Sequence, residues 1–194
     1  MQAIKINGQI RTQNGKEASA RYRKSGLVPC VLYSKNENIQ FCVSPAELRA
    51  LVFNPDFKLA DIVLDGVSHS CILKEIQWNP VTDEVIHIDF LKLVPGTPIR
   101  VELPLRIKGT SVGVKSGGKL VQRMRMIKIK TIPEHLVSEM VADVSNLDLG
   151  QTLRIRDVQA VPGVEIVTPA ATPIVSIEIP RALKTAESAP AGKK

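Results

Sequence analysis

Residues 61–73 read Asp61-Ile62-Val63-Leu64-Asp65-Gly66-Val67-Ser68-His69-Ser70-Cys71-Ile72-Leu73, and this stretch decides the fold class. An apolar run enters Asp65-Gly66 and a second one leaves it. A two-residue hairpin turn needs positive φ at both central positions, and Asp-Gly tolerates that. The stretch is therefore read as a β-hairpin. The same signals recur along the chain. Ala3 to Ile10 is short and partly alternating, and Leu27 to Tyr33 is a compact apolar run. Further on, Ile99 to Ile107, Met126 to Ile132, Glu139 to Val144 and Ile174 to Ile179 read as strands separated by turn residues. One helix is well marked. Ser44-Pro45-Ala46-Glu47 spells a capping box with proline at the first helical position, Leu48, Leu51 and Val52 supply an apolar stripe, and Asn54-Pro55 ends it. The fold class is mainly β.

The chain has 194 residues and is 44% hydrophobic, enough for one large core or two small ones. Only 4% are aromatic, so the core is built from Val, Ile and Leu. No apolar run reaches the length of a membrane span, and Met1 to Arg11 lacks the apolar centre of a signal peptide, so a soluble, cytoplasmic protein is expected. Cys30, Cys42 and Cys71 are widely spaced with no C-x-x-C pair, which speaks against structural zinc and for reduced, buried thiols. Val94-Pro95-Gly96-Thr97-Pro98 punctuates the pattern. We read a first domain over 1–93, a C-terminal β domain over 94–180, and a flexible basic tail over 181–194, where Ala, Ser, Pro, Gly and Lys replace any apolar pattern.

The net charge of +7 is unevenly spread. Residues 1–35 carry seven basic side chains against Glu17 alone, residues 36–93 balance at −5, and residues 94–194 at +6. From Arg106 to Lys130 there are eight basic residues (Arg106, Lys108, Lys115, Lys119, Arg123, Arg125, Lys128 and Lys130) and no acidic one. Such asymmetry is the footprint of contact with a polyanion, or else a solvated basic face. The sequence leaves open whether the second cluster meets RNA, protein or solvent.

Two stretches resemble catalytic motifs. Gly113-Val114-Lys115-Ser116-Gly117-Gly118-Lys119-Leu120 meets the spacing of a phosphate-binding loop, but Leu120 stands where a hydroxyl would ligate magnesium, and the βαβ setting is missing. The segment is read as a glycine-rich basic loop. In Val85-Ile86-His87-Ile88-Asp89-Phe90, alternation puts Ile86, Ile88 and Phe90 on one face and His87 with Asp89 on the other. A hydrolase would want a nucleophile beside that pair, and no G-x-S-x-G elbow or reactive-cysteine signature accompanies it. The remaining readings are a solvent-facing pair or a recognition pair. In the latter, imidazole donates to a phosphate or base edge, and the carboxylate accepts from a base or orients its neighbour.

Arg11-Thr12-Gln13-Asn14-Gly15-Lys16 holds an Asn-Gly turn, followed by Glu17-Ala18-Ser19-Ala20-Arg21-Tyr22-Arg23-Lys24-Ser25-Gly26. Its apolar content is too low for a core element, so it is read as a surface loop or short helix that Gly26 caps. If helical, Arg21 shares a face with Lys24, and Lys16 with Arg23. The cations suit phosphates, Ser19 and Tyr33 suit sugar or phosphate oxygens, and Tyr22 or Tyr33 suits a stacked base.

The run Arg11…Gly15-Lys16-Glu17-Ala18-Ser19…Arg21…Arg23…Val28-Pro29…Val31-Leu32-Tyr33 resembles the opening motif of ribosomal protein twenty-five of the bacterial large subunit, also called the general stress protein Ctc family. Glu75-Ile76-Gln77-Trp78-Asn79-Pro80…Glu84-Val85-Ile86-His87-Ile88-Asp89-Phe90 is similar to its second motif. Gly113-Val114-Lys115…Gly117-Gly118, Ile132-Pro133-Glu134-His135-Leu136 and Ala142 to Gly150 resemble the C-terminal domain of its longer members. The resemblance implies a small N-terminal β-barrel with helices that binds 5S ribosomal RNA in the central protuberance, and a C-terminal all-β domain. It implies no catalysis, cofactor or metal; the partners are 5S ribosomal RNA and neighbouring large-subunit RNA and proteins. Carried onto matching positions, the RNA-facing set is Arg11, Lys16, Ser19, Arg21, Arg23, Tyr33, Gln77, His87 and Asp89. The sequence departs from the family pattern at Ala20, Ser34, Trp78 and Asn79, and Trp78 offers stacking where a cation is usual. The alternative reading is a general stress protein acting off the ribosome, with RNA contact secondary.

Overall fold

A computed structural model describes residues 3–35, 37–159 and 161–180. The expected flexible tail, 181–194, lies outside them. The chain divides into two compact units: Met1–Ile99 with Ile132–Ser138, and Arg100–Thr131 with the residues from Glu139 on.

The first unit carries strands β1 (Ala3–Ile10), β2 (Val28–Tyr33), β3 (Asn38–Val43), β4 (Leu59–Leu64), β5 (Val67–Trp78) and β6 (Val85–Lys92), with helix α1 (Lys16–Lys24) after β1 and α2 (Pro45–Val52) after β3. The strands close into a barrel in the order β1-β3-β2-β6-β5-β4. Neighbours run antiparallel except β1 with β4 and β2 with β6, which run parallel. The hairpin at residues 61–73 forms as expected, with Asp65 (φ 46) and Gly66 (φ 83) both in the left-handed region. Alternate side chains of each strand point inward. Ile6, Leu32, Phe41, Ile62, Ile88 and Phe90 are thereby buried, with the Phe41 and Phe90 rings 5.9 Å apart. Gly8 allows a close approach: a Cβ there would stand 2.7 Å from the side chains of both Leu64 and Phe41. The three thiols are free and buried, and burial pushes Cys71 up to about 12.

Helix α2 starts where expected, after Ser44 with Pro45 first, but the capping box is not closed. The Ser44 side chain makes no capping bond, and the Glu47 carboxylate instead accepts the backbone N–H of Asn7, 2.5 Å away. The carboxylate makes its charge-assisted bond to a strand amide of β1 and so ties the helix start to the barrel. Leu48 and Leu51 join the barrel core. The Asn14-Gly15 turn is replaced by Gly15 acting as the N-cap of α1. At the other end of α1, Gly26 N–H donates to the Arg23 carbonyl and Leu27 N–H to the Tyr22 carbonyl, the paired bonds of a Schellman stop.

The second unit contains β7 (Ile99–Lys108), α3 (Val112–Lys115), β8 (Lys119–Gln122), β9 (Met126–Thr131), β10 (Met140–Asp143), β11 (Thr152–Arg154), β12 (Val164–Ile166) and β13 (Pro173–Glu178). They form a four-stranded sheet, β10-β7-β9-β12, and a three-stranded one, β11-β13-β8. Val101, Leu103, Leu105, Ile127 and Ile129 are buried from the first sheet, and Ile174, Val175 and Ile177 from the second. The glycine-rich segment is a single helical turn running into β8, with the Ser111 hydroxyl accepting the Val114 amide at 3.1 Å. A Cβ at Gly113 would lie 2.7 Å from the backbone of Asp148 and Leu149, and one at Gly118 2.6 Å from Ile177 and Leu149. These glycines serve packing, which explains phosphate-loop spacing without phosphate-loop chemistry.

Candidate nucleic-acid interface

Helix α1 packs on β2. Ala18 is its one buried side chain, so the helix has little apolar grip of its own. Polar ties supply the rest. Arg23 Nε donates to the Ile86 carbonyl of β6 at 3.2 Å. Arg11 sits at the end of the β1 connection with only 9% of its surface exposed. Its guanidinium reaches Ser19 Oγ at 3.4 Å and lies 5.4 Å from the centre of the Tyr22 ring. Lys16, Arg21 and Lys24 remain exposed. Glu17 lies 3.7 Å from Arg21 across one helical turn.

The strand half of the site follows from register. Gln77 of β5 stands opposite His87 of β6, and Glu75 opposite Asp89. On the other flank, Val31 of β2 is level with Asp89, and Tyr33 with Leu91. Paired residues in a ladder point to the same side. Ile88 and Phe90 point into the core, so Gln77, His87, Asp89 and Tyr33 face outward. His87 and Asp89 are not freely solvated; about a fifth of each side chain is exposed (21% and 22%). His87 Nδ1 lies 3.0 Å from the buried Asp89 Oδ1, so the carboxylate is placed to orient the imidazole. Burial holds the His87 imidazolium below its ordinary range; Asp89 opposes this, while Arg23 and Arg11 reinforce it. The imidazole is thus neutral at neutral pH and offers one donor and one acceptor nitrogen.

The structure therefore joins Arg11 to Ser19 and Arg23 to the His87 strand, and sets Gln77 opposite His87 beside Asp89. Lys16 and Arg21 stand on the same helix, and Tyr33 at the end of the neighbouring strand. Arg11 differs from the others. It lies inside, with its Nε buried and unpartnered, and supports α1 from below. Tyr22, read as a base-stacking residue, is half-buried against that guanidinium. Two features escaped the sequence reading. Glu75 brings a carboxylate opposite Asp89, visible only through the irregular register of β5 on β6. Phe53 and Trp78 form an edge-on aromatic pair, 5.7 Å between centres, with Phe53 65% exposed.

The second basic cluster is arranged otherwise. Arg106 pairs with Glu139 (3.4 Å), Arg123 with Glu178 (2.7 Å), Lys128 with Glu102 (3.3 Å) and Lys130 with Glu165 (3.0 Å). The acids come from outside the run, so a segment without acidic residues becomes a laced sheet surface.

The first unit is a closed β-barrel that sets a cationic surface helix beside a polar strand face. Residues 6–90 match the model of the Ribosomal L25p family, and residues 98–181 match that of the ribosomal protein TL5 C-terminal domain. The protein named large ribosomal subunit protein bL25 of Phocaeicola vulgatus is 36% identical over 200 residues, covering the whole of both chains. Proteins of the same name from Porphyromonas gingivalis (39% over 157 residues, 80% of this chain and 82% of that one) and Cytophaga hutchinsonii (31% over 193 residues, all of both) are also similar. The chain belongs to the ribosomal L25p family, in the form that carries a TL5-type C-terminal domain.

Proposed function

We propose that the protein is a non-catalytic constituent of the bacterial large ribosomal subunit, cytoplasmic, and that residues 1–93 bind 5S ribosomal RNA in the central protuberance. The observation that carries this reading is the meeting of α1 with the outward strand face of Gln77, His87 and Asp89, through the Arg23–Ile86 bond. Lys16, Arg21 and Arg23 engage phosphates and supply a salt-dependent attraction. Ser19, Tyr33, Gln77 and neutral His87 present donors and acceptors to sugar and base edges. Asp89 orients His87, whose Nδ1 lies 3.0 Å from Oδ1, and accepts from a base amino or imino group with its other oxygen. Arg11 serves the interface from beneath, holding α1 in place through Ser19 and Tyr22. Residues 94–180 form a second, all-β domain that meets neighbouring subunit RNA or proteins, and 181–194 a basic tail.

The test is a chemical footprint of the full protein on 5S ribosomal RNA, with sucrose-gradient fractionation of cell extract. Protection of a discrete RNA segment, lost in the Lys16→Ala, Arg21→Ala double variant, is the expected result. Absence of the protein from large subunits at moderate salt would overturn it and favour a role off the ribosome.

A further inference from the structure

We propose that Asn14 is a site of spontaneous deamidation, and that this modification acts as an electrostatic off-switch for RNA binding on the unassembled protein. The switch rests on the RNA reading above; the modification does not. The chain holds two Asn-Gly pairs, Asn7-Gly8 and Asn14-Gly15. Glycine after asparagine leaves its amide nitrogen unhindered for attack on the asparagine side chain, so both pairs carry the same intrinsic liability.

The fold separates them. Asn7 and Gly8 lie within β1, in register with Val63 and Leu64 of β4. The Asn7 backbone N–H donates to the Glu47 carboxylate, and Gly8 is packed so closely that an added Cβ would stand 2.7 Å from Leu64 and Phe41. Ring closure needs the asparagine backbone to rotate until the next nitrogen meets its own side-chain carbon. A strand locked on these contacts resists that rotation. Asn14 and Gly15 are both exposed and precede the first residue of α1. Nothing stands within 4 Å of a Cβ built on Gly15. Neither residue is paired in a strand ladder, so no ladder opposes the rotation here.

The chemistry needs only water. The deprotonated Gly15 nitrogen bonds to Asn14 Cγ, and the carboxamide nitrogen takes up a proton and leaves as ammonia. Water then opens the five-membered imide at either carbonyl, giving aspartate or isoaspartate. The sum is amide plus water to carboxylate plus ammonia, with no redox change. The new charge falls one residue before the N-cap of α1, in sequence between Arg11 and Lys16. A negative charge at a helix N-terminus favours the helix, so α1 persists. The same charge repels phosphate, so the fold and the binding respond with opposite sign. RNA seated on α1 would restrict the loop, which confines the modification to free protein.

The test follows two tryptic peptides, 12–16 and 6–11, from full-length protein kept for days in warm, mildly alkaline buffer. The Asn14 peptide should gain one dalton and split into two acidic forms, at least about tenfold faster than the Asn7 peptide. In urea-unfolded protein the two should convert at similar rates. Equal rates in the folded protein, or an inert Asn14 where the unfolded chain reacts, would overturn the site. For the switch, Asn14→Asp should weaken binding to 5S ribosomal RNA about fivefold at low salt, while Asn14→Gln binds as wild type. Circular dichroism should show α1 intact in both. Equal affinity of Asn14→Asp would overturn the switch while leaving the modification standing. A wild-type protein that does not bind the RNA would take the switch down with the RNA reading.

Discussion

Residues 16–24 and residues 106–130 are both rich in cations, yet the fold gives them different company. In the second segment, alternation along β9 puts Lys128 and Lys130 on the outer face. Glu165 of β12 stands in register with Lys130, and Glu102 of β7 reaches Lys128. In the first segment the cations project from a helix, and Glu17 lies one turn from Arg21, 3.7 Å away. The lesson is that a basic run on a strand is judged by its cross-strand partners, and one on a short surface helix by its own neighbours.

That contrast sets the largest prediction. Replacing Lys16, Arg21 and Arg23 together by alanine should lower affinity for 5S ribosomal RNA about 100-fold at moderate salt and reduce the salt slope by about three. Replacing Arg106, Arg123, Lys128 and Lys130 together should change that affinity less than about threefold in the same filter-binding assay. Comparable losses from both sets would erase the distinction.

Arg11 sharpens it from within. It is a cation of the first segment that does structural work, so Arg11→Ala should lower unfolding stability by about 2 kcal/mol in urea titration. Arg11→Met keeps the bulk and removes a buried, partly unsatisfied charge, and should restore most of that loss. Methionine as harmful as alanine would show that the polar bonds, not the packing, hold α1. A smaller effect belongs to the laced sheet. A double-mutant cycle on Lys130 and Glu165 should give a coupling of only about 0.5 kcal/mol, because both groups are substantially exposed.

The smallest concerns His87. Its folded-state pKa lies below the ordinary 6.5 because burial disfavours the charged ring. As pH falls, the unfolded chain takes up this proton first, so stability is fully present above about 6.5 and declines below it. Chemical unfolding at roughly pH 5.5 and 7.5 should show this decline, and His87→Gln should flatten it. An unchanged slope in the variant would assign the pH dependence elsewhere.

Much of the barrel was legible because its signals are local. Asp65-Gly66 dictates a turn, Pro45 starts a helix, and Ile88 and Phe90 alternate with His87 and Asp89. The strands that escaped notice are short, as with β8, β11 and β12, or depart from clean alternation, as with the Phe41-Cys42-Val43 end of β3. A three-residue strand has too little pattern to stand above background, and only its partners define it. The capping box failed for a related reason: Glu47 bonds the Asn7 backbone of β1, forty residues away, rather than its own helix start.

The sequence by itself determined the fold class, the helix after Ser44, the turn at Asp65-Gly66, and the outward sharing of His87 and Asp89, since each depends on residues a few positions apart. It also carried the family likeness. Tertiary structure decided which charges are spent and which remain available. It seated Arg11 beneath α1, laced the cations of β9 with distant glutamates, set Gln77 opposite His87, and locked one Asn-Gly pair in a strand while leaving the other open. Those outcomes depend on which residues the barrel and sheets bring within a few ångströms of each other, and Coulomb attraction, hydrogen bonding and backbone restraint all act at that range rather than along the chain.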